Sequence, residues 1–250
     1  MGETSRKEIE SMNRVSDYTV IDLEMTGLHP KSDKIIEIGA FKVKNGQVCD
    51  TYSMIVNPMM IVPQRLTELT GITNEDVECG VNIDKAMSGL LSFIEGEELV
   101  GQNINFDYSF IKQWAINKRI PLEVKAYDTL KIARQLLPVD QPKSLEALCE
   151  YFHIDRQNAH RALDDAEETR QIFEKLMDMV LEKNDEKLLK PQVLQYKAKR
   201  QTPATAHQKE RLKEYREAHN ITDPINWETL TRNEASRLYD NYRKNESKEY

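Results

Sequence analysis

The sequence of 250 residues has no long apolar run and no secretion signal. Its apolar runs stay well below the roughly 18 residues that a membrane-spanning helix needs. Residues 1–16 are polar and charged and lack the apolar core of a signal peptide, so we interpret them as a flexible lead-in. We therefore expect a protein that is not associated with a membrane.

Cysteine is scarce, and the chain has no excess of positive charge. Cys49, Cys79 and Cys149 are far apart, and their spacing matches neither a disulfide framework nor a metal-binding motif. We expect reduced thiols and a cytoplasmic location. The formal net charge of −7 argues against a protein that coats nucleic acid by charge alone. It still allows an enzyme that meets phosphate groups through metal ions.

Hydrophobic periodicity and composition divide the rest of the chain into three parts. Residues 17–183 carry the strand and helix patterns of one domain of ordinary size. Residues 184–205 are polar, lean basic and contain two prolines, which predicts a linker. Residues 206–246 form a small helical module in this prediction, and so short a unit is marginal for independent stability.

The strand and helix patterns of the larger unit predict a mixed α/β fold. Three apolar, β-branched runs at 17–24, 35–43 and 48–56 are joined by short turns, which favours an antiparallel meander. Shorter strands at 98–101 and 124–127 then alternate with helical periodicity, which favours parallel pairing. We expect one sheet with both kinds of pairing and helices on its faces.

Two carboxylates close the first predicted strand. Asp22 and Glu24 are two positions apart, so they point to the same face of the strand. Adjacent carboxylates repel each other, which raises a pKa or requires a cation, and hard oxygen ligands favour Mg²⁺ or Mn²⁺. The alternative is a solvated strand end whose acidic residues have no function.

Three more side chains repeat this chemistry at the ends of other elements. Asp107 opens a helix that follows a buried strand, and His160 and Asp165 flank the start of the longest predicted helix. Acidic groups from separate elements are how a two-cation site is assembled, and a histidine titrates near neutral pH, as a general base should. Each residue also has a simpler interpretation. Asp107 could interact with the helix dipole, His160 could be an ordinary loop histidine, and Asp165 could be a surface acid.

Asp128 serves as a comparison for these acidic residues. It precedes a predicted helix at 129–137, where an aspartate side chain accepts hydrogen bonds from the first free N–H groups. We interpret Asp128 as a helix cap and leave it out of the predicted metal site.

The motifs gain weight from their combination. In chain order they are Asp22-x-Glu24, Asn103-x-x-Phe106-Asp107 and His160-x₄-Asp165. This combination resembles the DnaQ-like family of 3′–5′ exonucleases, in its histidine-containing (DEDDh) branch. The resemblance covers about 17–180 and implies a ribonuclease H-like fold, with 17–183 as the exonuclease domain. It further implies two Mg²⁺ or Mn²⁺ ions held by the four acidic residues, and His160 as the general base.

The resemblance also implies a place for the terminal nucleotide. Its expected contacts are Met25, Thr26, Leu28, Thr70, Asn103 and Phe106. Many family members have histidine where this chain has Thr70 or Gln102, which bears on substrate preference more than on chemistry. Phe106 is also spaced for core packing.

The expected substrate is the 3′ end of single-stranded DNA. The protein would act in proofreading, with a replicative DNA polymerase as a partner, or in repair. One alternative is an exoribonuclease or oligonucleotidase of the same family, because a contact to the 2′-OH separates RNA from DNA and spacing does not show it. The other is a catalytically silent module that binds nucleic acid.

Overall fold

The computed structural model describes residues 14–156 and 159–246. Most of the predicted lead-in, 1–13, therefore lies outside the described residues. Among the helices of the described chain, each is too short or too polar to cross a bilayer. The three cysteines are free thiols.

Within the described residues, seven strands form one sheet in the order β4-β3-β2-β1-β5-β6-β7. Their bounds are β1 (Tyr18–Met25), β2 (Ile35–Lys44), β3 (Gln47–Asn57), β4 (Val81–Asn82), β5 (Leu99–Gly101), β6 (Lys125–Asp128) and β7 (Gln192–Val193). β1, β2 and β3 pair antiparallel, while β5 and β6 continue the sheet in parallel with β1. The predicted meander and the predicted parallel strands are both confirmed.

Helices cover the faces of the sheet and continue into the C-terminal residues. Their bounds are α1 (Gln64–Thr70), α2 (Asn74–Glu78), α3 (Ile83–Phe93), α4 (Asn105–Lys118), α5 (Thr129–Leu136), α6 (Leu145–Phe152), α7 (Ala162–Lys183), α8 (Ala206–Ala218) and α9 (Arg232–Glu246). A short 3₁₀ helix, Glu186–Leu189, follows α7. The sequence patterns had not predicted α2, which a Thr73 capping box starts.

The helix α7 packs along one face of the sheet and contributes six buried residues to the core there. Its side chains Ile172, Leu176 and Val180 recur every four residues and are fully buried. Phe173 beside them meets the ring of Tyr18 on β1 edge to face, with centroids 5.2 Å apart. Truncating such a side chain to alanine typically costs about 2–5 kcal/mol. This packing fixes α7, and therefore its N-terminus, against the central strand.

The segment predicted as a linker makes ordered contacts with the larger unit. Gln192–Val193 forms β7, which pairs antiparallel with β6. Leu194 beside it is buried in a core cluster that includes Ile21 of β1 and Ile111 of α4. The C-terminal module, 206–246, has a small core of its own between α8 and α9. The division into a domain, a linker and a module stays a prediction.

Candidate active site

The site forms where β1 extends beyond its parallel neighbour. β5 pairs with β1 at Thr19 and Val20, so the following residues of β1 have a free edge on that side. Asp22 and Glu24 lie on this part of β1, both half-buried. A crevice outside the carboxyl ends of parallel strands is where open α/β sheets bind ligands.

Asp107 occupies the free edge of β1. It lies in the first turn of α4, and one of its carboxylate oxygens accepts a hydrogen bond from the Leu23 N–H at 3.2 Å. That amide lies between Asp22 and Glu24 in sequence. The Asp107 side chain, 5% exposed, is thereby held beside both acidic residues.

The start of α7 brings His160 and Asp165 to the same place. His160 has a left-handed backbone, with φ of 64°, which turns the chain into the helix. The His160 N–H donates a hydrogen bond to the Asp165 carboxylate at 3.3 Å. Glu24, His160 and Asp165 each offer a ligand atom, and these atoms all lie within 4.8 Å of one another. Asp22 and Asp107 are outside this group of three in the described structure.

Burial and mutual repulsion disfavour the charged forms of the two acidic residues on β1. Burial raises the pKa of Asp22 well above its ordinary value, and the charges of Asp107 and Asp165 raise it further. Burial, followed by the charges of Asp165 and Glu37, raises the pKa of Glu24 to about 8. The charges that raise these pKa values belong to the predicted acidic residues and to Glu37.

Arg156 offsets part of this negative charge. Burial raises the pKa of Asp165, while the Arg156 guanidinium, 3.0 Å from its carboxylate, lowers it. The same guanidinium binds buried Glu168 at 2.7 Å. Burial also raises the pKa of Asp107, and the nearby charge of Asp128 adds to this effect. Clustered carboxylates whose charges oppose one another are suited to bind divalent cations, so this donor set fits the predicted metal ions.

A second acid–base pair anchors α7 to the sheet. Glu37 is opposite Glu24 in the register of β2 and β1, and it is 2% exposed. Its carboxylate binds the Arg161 guanidinium and accepts the Ala162 N–H at 2.9 Å. That N–H belongs to the first residue of α7, so Glu37 caps this helix from another element.

Gly39 allows α7 to approach this closely. A Cβ atom at Gly39 would lie 2.3 Å from backbone atoms of Ala162 and Leu163. Any larger residue would therefore push the start of α7, with Asp165 and His160, away from β1.

The predicted nucleotide contacts divide into exposed and buried side chains. Leu28 is 73% exposed in the turn after β1, and Asn103 is exposed with a left-handed backbone. Phe106 is partly buried against the core and contacts Phe110 edge to face.

The other predicted contacts face inward. Met25 lies in the core, at the end of β1 opposite Ile35. The Thr70 hydroxyl is buried and donates a hydrogen bond to the Leu66 carbonyl at 2.9 Å. The side chain of Thr26 accepts the Lys34 N–H at 2.8 Å.

Asp128 is a helix cap, as predicted. Its carboxylate accepts hydrogen bonds from the N–H groups of Leu130 and Lys131. It also accepts the Asn103 N–H at 3.2 Å, which ties the turn before α4 to the end of β6. The sequence patterns did not indicate this second role.

Glu37, Arg156 and Gly39 were not among the predicted site residues. For Glu37 a signal existed: a lone acidic residue in the apolar run of β2 must find a partner when buried. Arg156 lies in a loop whose sequence gives no such signal. The need for glycine at position 39 comes from α7, which is more than a hundred residues further along the chain.

The fold and the site define the class of protein. A mixed sheet whose central strand carries two acidic residues, joined by acidic residues from two helices and a histidine, is the arrangement of a ribonuclease H-like nuclease. The model of the exonuclease family named RNase T matches residues 19–173, and the chain belongs to this family. The predicted family is thereby confirmed.

Relatives and solved structures agree with this assignment. The chain is 30% identical to DNA polymerase III subunit epsilon of Aquifex aeolicus over 179 residues, 70% of this chain and 89% of the relative. It is 37% identical to DNA polymerase III PolC-type of Caldanaerobacter subterraneus subsp. tengcongensis over 166 residues. That match covers 66% of this chain but 12% of the relative, so the chain spans a small part of these polymerases.

The structural likeness extends to exonucleases of low sequence identity. The nuclease domain of 3′hExo, a DEDDh family member solved with rAMP, gives a TM-score of 0.57 at 19% identity, covering 74% of this chain and 97% of that domain. Exonuclease I of E. coli, solved with a dA16 oligonucleotide, gives 0.56 at 17% identity over 70% of this chain and 45% of its own. The predicted ribonuclease H-like fold is confirmed. Members of this exonuclease family depend on divalent metal ions.

Proposed function

We propose that the protein removes nucleotides one at a time from the 3′ end of single-stranded DNA, with two Mg²⁺ or Mn²⁺ ions. The observation that supports the proposal is the close approach of ligand atoms from Glu24, His160 and Asp165 in a member of an exonuclease family. The hydrogen bond from the Leu23 N–H to Asp107, between Asp22 and Glu24 in sequence, also supports it. Separate elements of the fold supply these groups. If the acidic residues of β1 only formed a solvated strand end, no such grouping would be needed.

The four acidic residues would hold the cations. In this proposal Asp22 would serve both ions, Glu24 and Asp165 would serve one, and Asp107 would serve the other. When bound, the ions supply charge that stabilises the attacking and leaving oxygens of phosphodiester hydrolysis. The carboxylates must be deprotonated to bind them, which favours neutral to alkaline pH.

His160 would remove the proton from the attacking water. An imidazole ring nitrogen accepts a proton near neutral pH. The hydrogen bond from the backbone N–H of His160 to Asp165, together with the left-handed backbone of His160, holds this residue at the acidic cluster. It is also within reach of Glu24 and Asp165, so proton transfer would take place next to the cations.

The turn after β1 would receive the terminal nucleotide. Leu28 exposes an apolar side chain there, suited to contact with a base, and the backbone of Met25 and Thr26 leads into it. Asn103 and Phe106 lie at the start of α4, next to Asp107, and would contact the nucleotide from that side.

We also propose that a replicative DNA polymerase is the partner and that the protein proofreads in the cytoplasm. The similarity to the epsilon and PolC-type chains of DNA polymerase III supports this proposal.

Digestion of 5′-labelled DNA and RNA single strands of the same sequence tests the function. Full-length protein is incubated with Mg²⁺, with Mn²⁺ or with chelator, and Asp165→Asn, purified in parallel, controls for contaminating nuclease. We expect a ladder of shortened DNA that requires metal and is absent in the variant. Preferential shortening of RNA would identify an exoribonuclease, and binding without cleavage would identify a silent module; either result overturns the proposal.

A further inference from the structure

The helix α9 contacts the loop between β1 and β2. One Arg237 nitrogen lies 2.5 Å from the Asp33 carboxylate and 2.5 Å from the Ser32 hydroxyl. Glu234, one turn earlier, forms an ion pair with Lys34. These C-terminal residues lie beyond residues 19–173, which the family model matches.

The contacted residues hold the turn that follows the acidic strand. The Asp33 carboxylate accepts the His29 N–H at 2.7 Å, and a Cβ atom at Gly27 would lie 2.5 Å from it. The Thr26 N–H donates a hydrogen bond to the Lys34 carbonyl, and the Lys34 N–H donates one to the Thr26 hydroxyl, each at 2.8 Å. Arg237 and Glu234 of α9 therefore form ion pairs with the two residues that hold the turn in shape. These residues are Asp33 and Lys34.

The α9 side chains are themselves held in place. The Glu234 carboxylate accepts the N–H of Thr231 at 2.8 Å and its hydroxyl at 2.9 Å. The Glu234 N–H donates in return to the Thr231 hydroxyl at 3.3 Å, which completes a capping box. Gln201 reaches both Thr231 and the Lys31 carbonyl. Asn117 on α4 binds Gln201 at 2.8 Å, so the segment before the module is fixed to the larger unit.

We propose that Arg237 and Glu234 are positioning residues for the turn 25–28, which receives the 3′-terminal nucleotide. The C-terminal module acts as a brace that keeps the turn in its binding shape. This inference rests on the proposed function. Arg237 is half-exposed while Asp33 is buried, so removing the arginine would leave the Asp33 carboxylate buried without its cation. Because Asp33 holds the turn through the His29 N–H, we expect the loss of the contact to change the local shape of the turn.

The test compares full-length wild type with Arg237→Ala, Arg237→Lys and Arg232→Ala. Arg232 is an exposed arginine at the start of the same helix and is the matched control. Hydrogen–deuterium exchange is measured for peptides covering 25–34. Steady-state kinetics are measured on a single-stranded DNA oligonucleotide and on bis(p-nitrophenyl) phosphate, which is too small to need the turn.

In Arg237→Ala we expect faster exchange in 25–34 and a KM for the oligonucleotide raised about tenfold, because the turn would lose binding that is equal in the ground state and the transition state. The kcat, and the rate on the small phosphodiester, should stay unchanged. Arg237→Lys should restore most of the affinity, and Arg232→Ala should match wild type.

Unchanged exchange in Arg237→Ala would overturn the brace. Faster exchange with an unchanged KM would overturn the positioning role, because the contact would then be structural only. A wild-type protein that cleaves no nucleic acid would overturn the proposed function instead, and the exchange measurement would still decide whether α9 holds the turn.

Discussion

Glu37 and Arg161 form a bidentate ion pair across 124 positions of sequence, with nitrogen–oxygen distances of 2.8 to 3.2 Å. The same carboxylate accepts the Ala162 N–H at 2.9 Å. A residue of the second strand therefore fixes the start of the helix that carries Asp165. Because Glu37 also lies opposite Glu24, the ion pair links the acidic strand β1 to the start of α7.

Glu37→Gln tests this link. The amide oxygen can still accept the Ala162 N–H, but the ion pair with Arg161 is lost. We expect kcat to fall about tenfold as His160 and Asp165 lose their fixed placement, with the fold retained by circular dichroism. Glu95→Gln, at an exposed glutamate, is the control. A kcat equal to that of wild type would show that the pair has no influence on the site.

Replacing a predicted metal ligand should abolish activity. Asp165→Asn keeps the size of the side chain and removes the charge that a cation needs. We expect metal-dependent cleavage to fall below detection. Asp164→Asn changes the neighbouring acid, which is not part of the group formed by Glu24, His160 and Asp165, and should keep most of the activity. The metal assignment would be untenable if both variants cleaved DNA at wild-type rates.

The histidine should affect the chemical step. His160→Asn suits the left-handed backbone, which asparagine tolerates better than most residues. We expect kcat to fall by about 10²–10⁴-fold, the usual contribution of general base catalysis, with little change in the Mn²⁺ concentration for half-maximal activity. His207→Asn is the control, because His207 is an exposed residue of α8. If the pH–rate profile kept its acidic limb in His160→Asn, another group would be the base.

The raised pKa of Glu24 makes stability depend on pH. The pKa rises from 4.5 to about 8 on folding, through burial and neighbouring carboxylates. The folded protein then binds more protons than the unfolded chain, so this contribution is full below pH 4.5 and is lost as the pH rises through 8. In chelator, the Tm of wild type should fall more between pH 5 and 8.5 than the Tm of Glu24→Gln.

Mn²⁺ should reverse this loss. Cations bind the deprotonated carboxylates, so added Mn²⁺ should raise the Tm more at pH 8 than at pH 5.5. The same titration of Asp22→Asn should show a smaller increase. An equal increase at both pH values would mean that the acidic cluster does not bind the metal.

Gly39→Ala tests the close approach of α7. The added Cβ would meet the backbone of Ala162 and Leu163 at 2.3 Å, which requires a shift of the helix. We expect a loss of about 1–3 kcal/mol in the free energy of unfolding and a marked loss of kcat. Urea unfolding and kinetics measure the two effects; a variant as stable and active as wild type would show that α7 can move without consequence.

The sequence alone determined the local features of this protein. Side-chain alternation places Asp22 and Glu24 on one face of a strand, and a turn-rich meander follows. Asp128 was recognised as a cap, and the position of Asp107 at the start of a helix was correct. These features depend on neighbours within a few residues, which the sequence shows directly.

Only the tertiary structure decided which distant groups meet. It paired Glu37 with Arg161, Arg156 with Asp165 and Arg237 with Asp33, and it made a strand of part of the segment predicted as a linker. Local patterns specify the helices and strands, but the contacts between them follow from how their apolar faces pack. The charges of the site are therefore brought together by burial of the core, which no short motif encodes.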